Sequence, residues 1–111
     1  MKDDKIYIEH IQRGIARIKL YIEGKNYQSF SEDFLAQDAV IRQLEIIGEA
    51  TKHTSGELRD NNPHVPWSDM TGMRDILIHD YIDVDTDIVW KTASESLPEL
   101  QKMLESLTWT K

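Results

Sequence analysis

The chain has 111 residues, 40% hydrophobic and 30% charged, which suits one soluble globular domain over 1–111 and is too short for two. Its 13 Lys and Arg face 20 Asp and Glu, and a net charge of −7 excludes tight, nonspecific nucleic-acid binding over the whole surface. With no cysteine there are no disulfides, thiolate nucleophiles or Cys-type zinc sites.

No run of 18 apolar residues is present, so no membrane-spanning helix is expected. The opening MKDDKIYIEH is acidic and has no apolar signal-like core, so a cytoplasmic location is expected. The charge is unevenly spread. Residues 1–60 hold 9 Lys/Arg against 11 Asp/Glu, and residues 61–111 hold 4 against 9. Contact with RNA would therefore be local, whereas the acidic surface suits a basic protein partner.

Nearly all of the patterning is helical. Ile8, Ile11, Ile15, Ile18 and Ile22 recur at 3-4-3-4 spacing and predict a first helix over about 3–24, ended by Gly24 and KNYQ. Ser31, followed by Glu32 and Asp33, reads as the cap of a second helix running to about 53. Its apolar positions are Phe34, Val40, Ile41, Leu44 and Ile47, and Gly48 is expected to permit close packing. Residues 54–67, with Gly, two Pro and paired Asn, predict a loop containing at most one short helical turn. Ser68 and Asp69 lead into a helix with Met70, Met73, Ile76 and Leu77, ending near Tyr81. Asp83 or Asp85 then caps a last helix carrying Val89, Ala93, Leu97, Leu100, Leu104 and Leu107, which Pro98 should bend. No strand-like alternation persists. The expected fold is all-α, an antiparallel bundle of four to five helices.

Within this pattern RDILIHDY, residues 74–81, places Arg74, His79 and Tyr81 on one short helix. On a regular helix His79 lies ~140° round from Arg74, and Tyr81 nearly returns to the Arg74 side. Fraying near residue 79 would bring His79 closer to Arg74; alternatively a two-fold homodimer would set two such pairs around one cleft. The chemistry this set suits is metal-free phosphodiester cleavage. Imidazole exchanges protons near neutral pH, guanidinium grips phosphate oxygens, and the 2′-OH of RNA supplies the nucleophile. The plainer alternative is that Arg74 pairs with an Asp, His79 caps a helix end and Tyr81 packs.

RDILIHDY also matches the R-x4-H-x-Y motif of HEPN-domain proteins, and specifically resembles the HepT-like toxins. The likeness extends through PWSDMTGMRDILIHDYIDVDTDIVWKTASESLPEL and IRQLEIIGEATK. It implies a HEPN-like bundle that dimerises through the motif helix and acts as a metal-independent endoribonuclease without a cofactor. Arg74 and His79 would be catalytic, and Asp75 would be the polar residue that follows the Arg. The resemblance also implies a nucleotidyltransferase antitoxin that transfers AMP from ATP to Tyr81, adding bulk and negative charge beside Arg74. Asp80, Asp83, Asp85 and Asp87 would favour docking of its basic face. A non-catalytic HEPN module that docks a nucleotidyltransferase or nucleotides is the other function considered, and a purely structural dimerisation domain the third.

Other candidates carry less. Asp83, Asp85 and Asp87 resemble the start of an EF-hand loop, but Ile88 replaces its Gly and Ser94 its Glu. His10, His53 and His64 are scattered, so no metal site is expected. Trp67, Trp90 and Trp109 read as core or interface anchors.

Overall fold

The computed structural model describes the backbone of residues 2–79 and 85–109, and the side chains of residues 3–73 and 85–109. The first helix, α1 (Lys2–Ile22), buries Ile8, Ile11, Ile15 and Ile18, each at most 6% exposed, while Ile22 is half-buried. Each such side chain contributes roughly 1.5–3 kcal/mol relative to exposure. Gly14 sits on the flank of α1 that meets α3 (Phe34–Lys52), where a methyl group would lie 3.0 Å from Ile47 Cγ1. Its bare backbone sets the close approach of these two helices. Gly24, with φ 77°, turns the chain after α1.

Between α1 and α3 lies a single-turn helix, α2 (Tyr27–Ser31), that the polar sequence KNYQ did not foretell. Asn26 caps it reciprocally with Ser29: the Ser29 N–H donates to Asn26 Oδ1 at 2.9 Å, and the Asn26 N–H donates to Ser29 Oγ at 3.0 Å. Ser31 is consequently spent inside α2, and Asp33, not Ser31, caps α3 by accepting from the Ala36 N–H at 3.0 Å. The same shift corrects the core. Phe30 on α2 is fully buried, whereas Phe34, at the first turn of α3, is 74% exposed. Val40, Leu44 and Ile47 are buried as expected, and so is Gly48.

The 54–67 connection holds one short helix, α4 (Gly56–Asn61), capped by Ser55. Two polar junctions fix it. Asp4, at the start of α1, accepts from Ser55 Oγ at 2.6 Å and from the Ser55 N–H at 2.8 Å. Burial alone would raise the Asp4 carboxyl, but these Ser55 donors outweigh it and hold it below its ordinary value. Asn62 is fully buried. Its Nδ2 donates to Leu58 O at 2.9 Å and Thr108 O at 2.7 Å, its Oδ1 accepts from the Thr108 N–H at 2.8 Å, and its carbonyl accepts from Trp67 Nε1 at 2.9 Å.

Trp67, thus anchored, opens α5 (Trp67–His79), one residue before the expected Ser68 and Asp69. Met70 is buried, Met73 half-buried, and α5 runs back along α3. The last helix is α6 (Thr86–Lys91), a π-helical turn (Thr92–Ser96) and α7 (Leu97–Leu104) in unbroken succession. Of the two expected caps, Asp85 holds the position, accepting from the Asp87 N–H at 2.9 Å; Asp83 lies outside the described residues. Pro98 has no N–H and its ring crowds the carbonyl four residues back. The helix accommodates it by widening: the Leu97 N–H reaches five residues back to Thr92 O. Among the described residues there is no strand, and the architecture is an all-α bundle.

Two measurements check the polar junctions. Asn62→Ala removes the side-chain bonds to Leu58 O and to the Thr108 backbone while leaving the carbonyl that holds Trp67, and should lower unfolding stability by about 2 kcal/mol in urea denaturation. Asp4→Asn should cost about 2 kcal/mol at neutral pH. Because the folded Asp4 pKa lies below its ordinary 3.8, its contribution is complete above that value and is lost as pH falls through the folded pKa. The gap between wild type and Asp4→Asn should therefore close in acid.

Candidate functional site

The backbone of α5 carries Arg74, Asp75 and His79, and remains helical through His79, its last residue. The side chains of residues 74–79 lie outside those described, as does Tyr81 altogether, together with Asp80 and Asp83. What the backbone does define is register. Five helical residues separate positions 74 and 79 by ~140° and by a rise of roughly 7.5 Å. The expectation that fraying near residue 79 brings them together turns on the side chains of 74–79 and on the segment after His79, which lie outside the described residues.

The start of α5 is fixed by the Trp67 to Asn62 bond, so the phase of positions 74 and 79 is set seven and twelve residues upstream. The helix that follows begins against α3, where Thr86 and Val89 meet Gln37 and Ile41. Acidic groups cluster here. The Tyr27 phenol is raised above its ordinary value by partial desolvation, then by the charges of Asp87 and Asp85. Asp33, in contrast, is lowered, chiefly by its bond to Lys25 at 2.8 Å and then by the Ala36 N–H.

The remaining candidates fall into place around this frame. His53 Nε2 lies 3.2 Å from Glu49 Oε2, and its ring stacks on Tyr7 at 5.1 Å, with His10 edge-on to the same tyrosine at 6.2 Å. His10, His53 and His64 are all exposed. Among the described residues no group of three His, Cys, Asp or Glu is arranged to hold a metal. Trp67 is core, Trp90 is half-buried with its ring 5.2 Å from Phe30, and Trp109 is 40% exposed. Among the described residues no helix is long and apolar enough to cross a membrane.

Sequence reasoning did not single out a groove of about 810 Å³ between α1 and the last helix. Lys19 and Lys25 line it from one side, and Trp90, Ser94 and Lys102 from the other. It joins residues more than sixty positions apart, and its only local signal was the cationic second half of α1.

The fold and motif together define a helical bundle whose fifth helix ends in Arg-x4-His. The chain belongs to the HepT-like ribonuclease family: the family's model, Ribonuclease HepT-like, matches residues 11–107. A protein of Thermococcus cleftensis named Probable ribonuclease HepT is 40% identical over 106 residues, covering 96% of each chain. A candidate RNase of Caldanaerobacter subterraneus subsp. tengcongensis is 37% identical over 107 residues, again 96% of each. A Methanocaldococcus jannaschii protein, whose name couples gamma-glutamylcyclotransferase with a candidate RNase, is 41% identical over 110 residues. That match takes in 96% of this chain and 50% of that protein, so the chain spans half its length. No solved structure matches.

Proposed function

We propose that this protein is a metal-independent endoribonuclease toxin that acts as a two-fold homodimer. The observation that carries the reading is an intact Arg74-x4-His79-x-Tyr81 motif inside the 11–107 family match, with Arg74 and His79 on one uninterrupted helix. The 2′-oxygen of the RNA attacks the adjacent phosphorus as His79 takes its proton. The new 2′-O–P bond replaces the P–O5′ bond, and the leaving 5′-oxygen is protonated, leaving a 2′,3′-cyclic phosphate. Arg74 stabilises the charge that grows on the phosphoryl oxygens, and Asp75 is a supporting polar neighbour. Guanidinium and imidazole supply these roles without a metal.

Register supports the homodimer reading. Positions ~140° apart on a straight helix do not address one phosphate from a single copy, whereas a symmetry-related α5 offers the complementary pair. Tyr81 is the regulatory acceptor. A nucleotidyltransferase antitoxin transfers AMP to it: the phenol oxygen attacks the α-phosphorus of ATP and pyrophosphate leaves. The added phosphate repels the RNA phosphate that Arg74 would bind. A second reading, a non-catalytic module that docks a nucleotidyltransferase or nucleotides, draws support from the net charge of −7.

Purified protein incubated with single-stranded RNA in EDTA should produce 2′,3′-cyclic phosphate ends. His79→Ala should slow this by about 10²-fold or more, and Arg74→Ala by about 10²–10³-fold. Equal cutting by wild type and His79→Ala removes the catalytic assignment in favour of the docking module. After co-expression with a nucleotidyltransferase encoded beside it, the peptide containing Tyr81 should carry one AMP-sized mass increment, absent in Tyr81→Phe. An unmodified peptide from neutralised protein rejects the AMP mechanism.

A further inference from the structure

We infer that the groove between α1 and the last helix is a second RNA contact, one that holds single-stranded RNA away from the cleaved linkage. The inference rests on the ribonuclease reading only for the identity of the polyanion. Residues 13–25 contain Arg13, Arg17, Lys19 and Lys25 against Glu23 alone, a local charge of +3 in a chain of −7. Arg13, Arg17, Lys19 and Lys102 are exposed, and among the described residues neither Lys19 nor Lys102 has an ion-pair partner. Lys25 is neutralised by Asp33 at 2.8 Å, so Lys19 and Lys102, facing each other across the groove, are its effective cations. Glu23 and Glu105 also line it, and they limit the sites at which phosphate is favoured to the neighbourhood of those two lysines.

Charge alone would fit any polyanion. Two further features favour RNA. Trp90 is braced on Phe30 at 5.2 Å and contributes to the groove wall, giving a fixed aromatic surface for a base. The π-helical turn places the Ser94 hydroxyl on the same wall, where it donates to Trp90 O and its oxygen can accept from a base N–H or a ribose 2′-OH. Cations beside an aromatic and a hydroxyl match a single strand better than an acidic peptide, which has no base to stack.

The test is fluorescence anisotropy with a labelled single-stranded ten-nucleotide RNA. It is run on wild type in EDTA at low temperature and on His79→Ala, which should slow turnover. Lys19→Glu/Lys102→Glu should weaken binding at least tenfold and reduce the log–log salt slope by about 1.4, two contacts at ~0.7 each. Lys5→Glu/Lys52→Glu, an equal charge change at exposed sites outside the groove, should weaken it far less. Far-UV circular dichroism verifies that both pairs fold, and Lys19→Gln/Lys102→Gln replaces the first if it does not. The inference is overturned if the groove pair binds like wild type, if the control pair loses as much, if wild type binds no RNA, or if a ten-residue polyglutamate competes as well as RNA. Groove-dependent binding without any cleavage would sustain this inference while removing the ribonuclease reading.

Discussion

Asn62, through its side-chain amide and its backbone carbonyl together, is the constraint on which the rest of this molecule turns. A fully buried amide is costly unless each of its polar atoms is paired, and here all are. The residue's partners span the chain: its side chain bonds the end of α4 and the segment after α7, and its backbone carbonyl accepts from the first residue of α5. Because α5 has no slack between Trp67 and His79, the bond at its origin fixes the rotation of every later position. A backbone carbonyl and an indole thereby set the origin of the helix that carries positions 74 and 79 along α3.

The opposite side of the bundle is governed by a different local conflict. Pro98 removes a backbone donor in the middle of a helix whose leucines need continuity to stay buried. Widening the ladder over Thr92–Ser96 preserves Ala93, Leu97, Leu100 and Leu104 on the core side while leaving Trp90, Ser94 and Pro98 along the groove. Sequence patterning foresaw a bend at this proline; the answer in the fold is a π turn, which keeps the apolar stripe in register.

Much of this was legible in the chain because it depends on local repetition. The isoleucine spacing of α1, the Asp85 cap, and the single turn within 54–67 each follow from residues within a few positions of one another. The failures share a cause. Ser31 and Asp33 are equally good caps in isolation, and only the Asn26–Ser29 box, which claims Ser31 for α2, decides between them. That choice also exchanges Phe30 for Phe34 in the core. Asn62 read as loop polarity because the partner that ties it to the chain's end, Thr108, is 46 residues away. The motif was visible as a string, whereas the groove across the bundle, assembled from two distant helices, had no string to read.

Charge is the remaining link between the fold and what it can do. An acidic protein that handles RNA must keep its carboxylates out of the strand's path, and here the signs are segregated. The half of the chain after residue 60 carries −5, concentrated in the segment from Asp80 to Asp87. The second half of α1 carries +3. Exposed charges farther apart than roughly 8–10 Å are largely screened at physiological salt, so a phosphate responds to its nearest few groups and not to the net charge. The value of −7 is then no obstacle to local RNA contact, and it does oppose indiscriminate binding elsewhere. Acids clustered beside the motif have a further consequence for the proposed ribonuclease: RNA would enter there only where the Arg74 guanidinium offsets them. On the proposed AMP transfer, one added phosphate at Tyr81 would tip that balance against RNA.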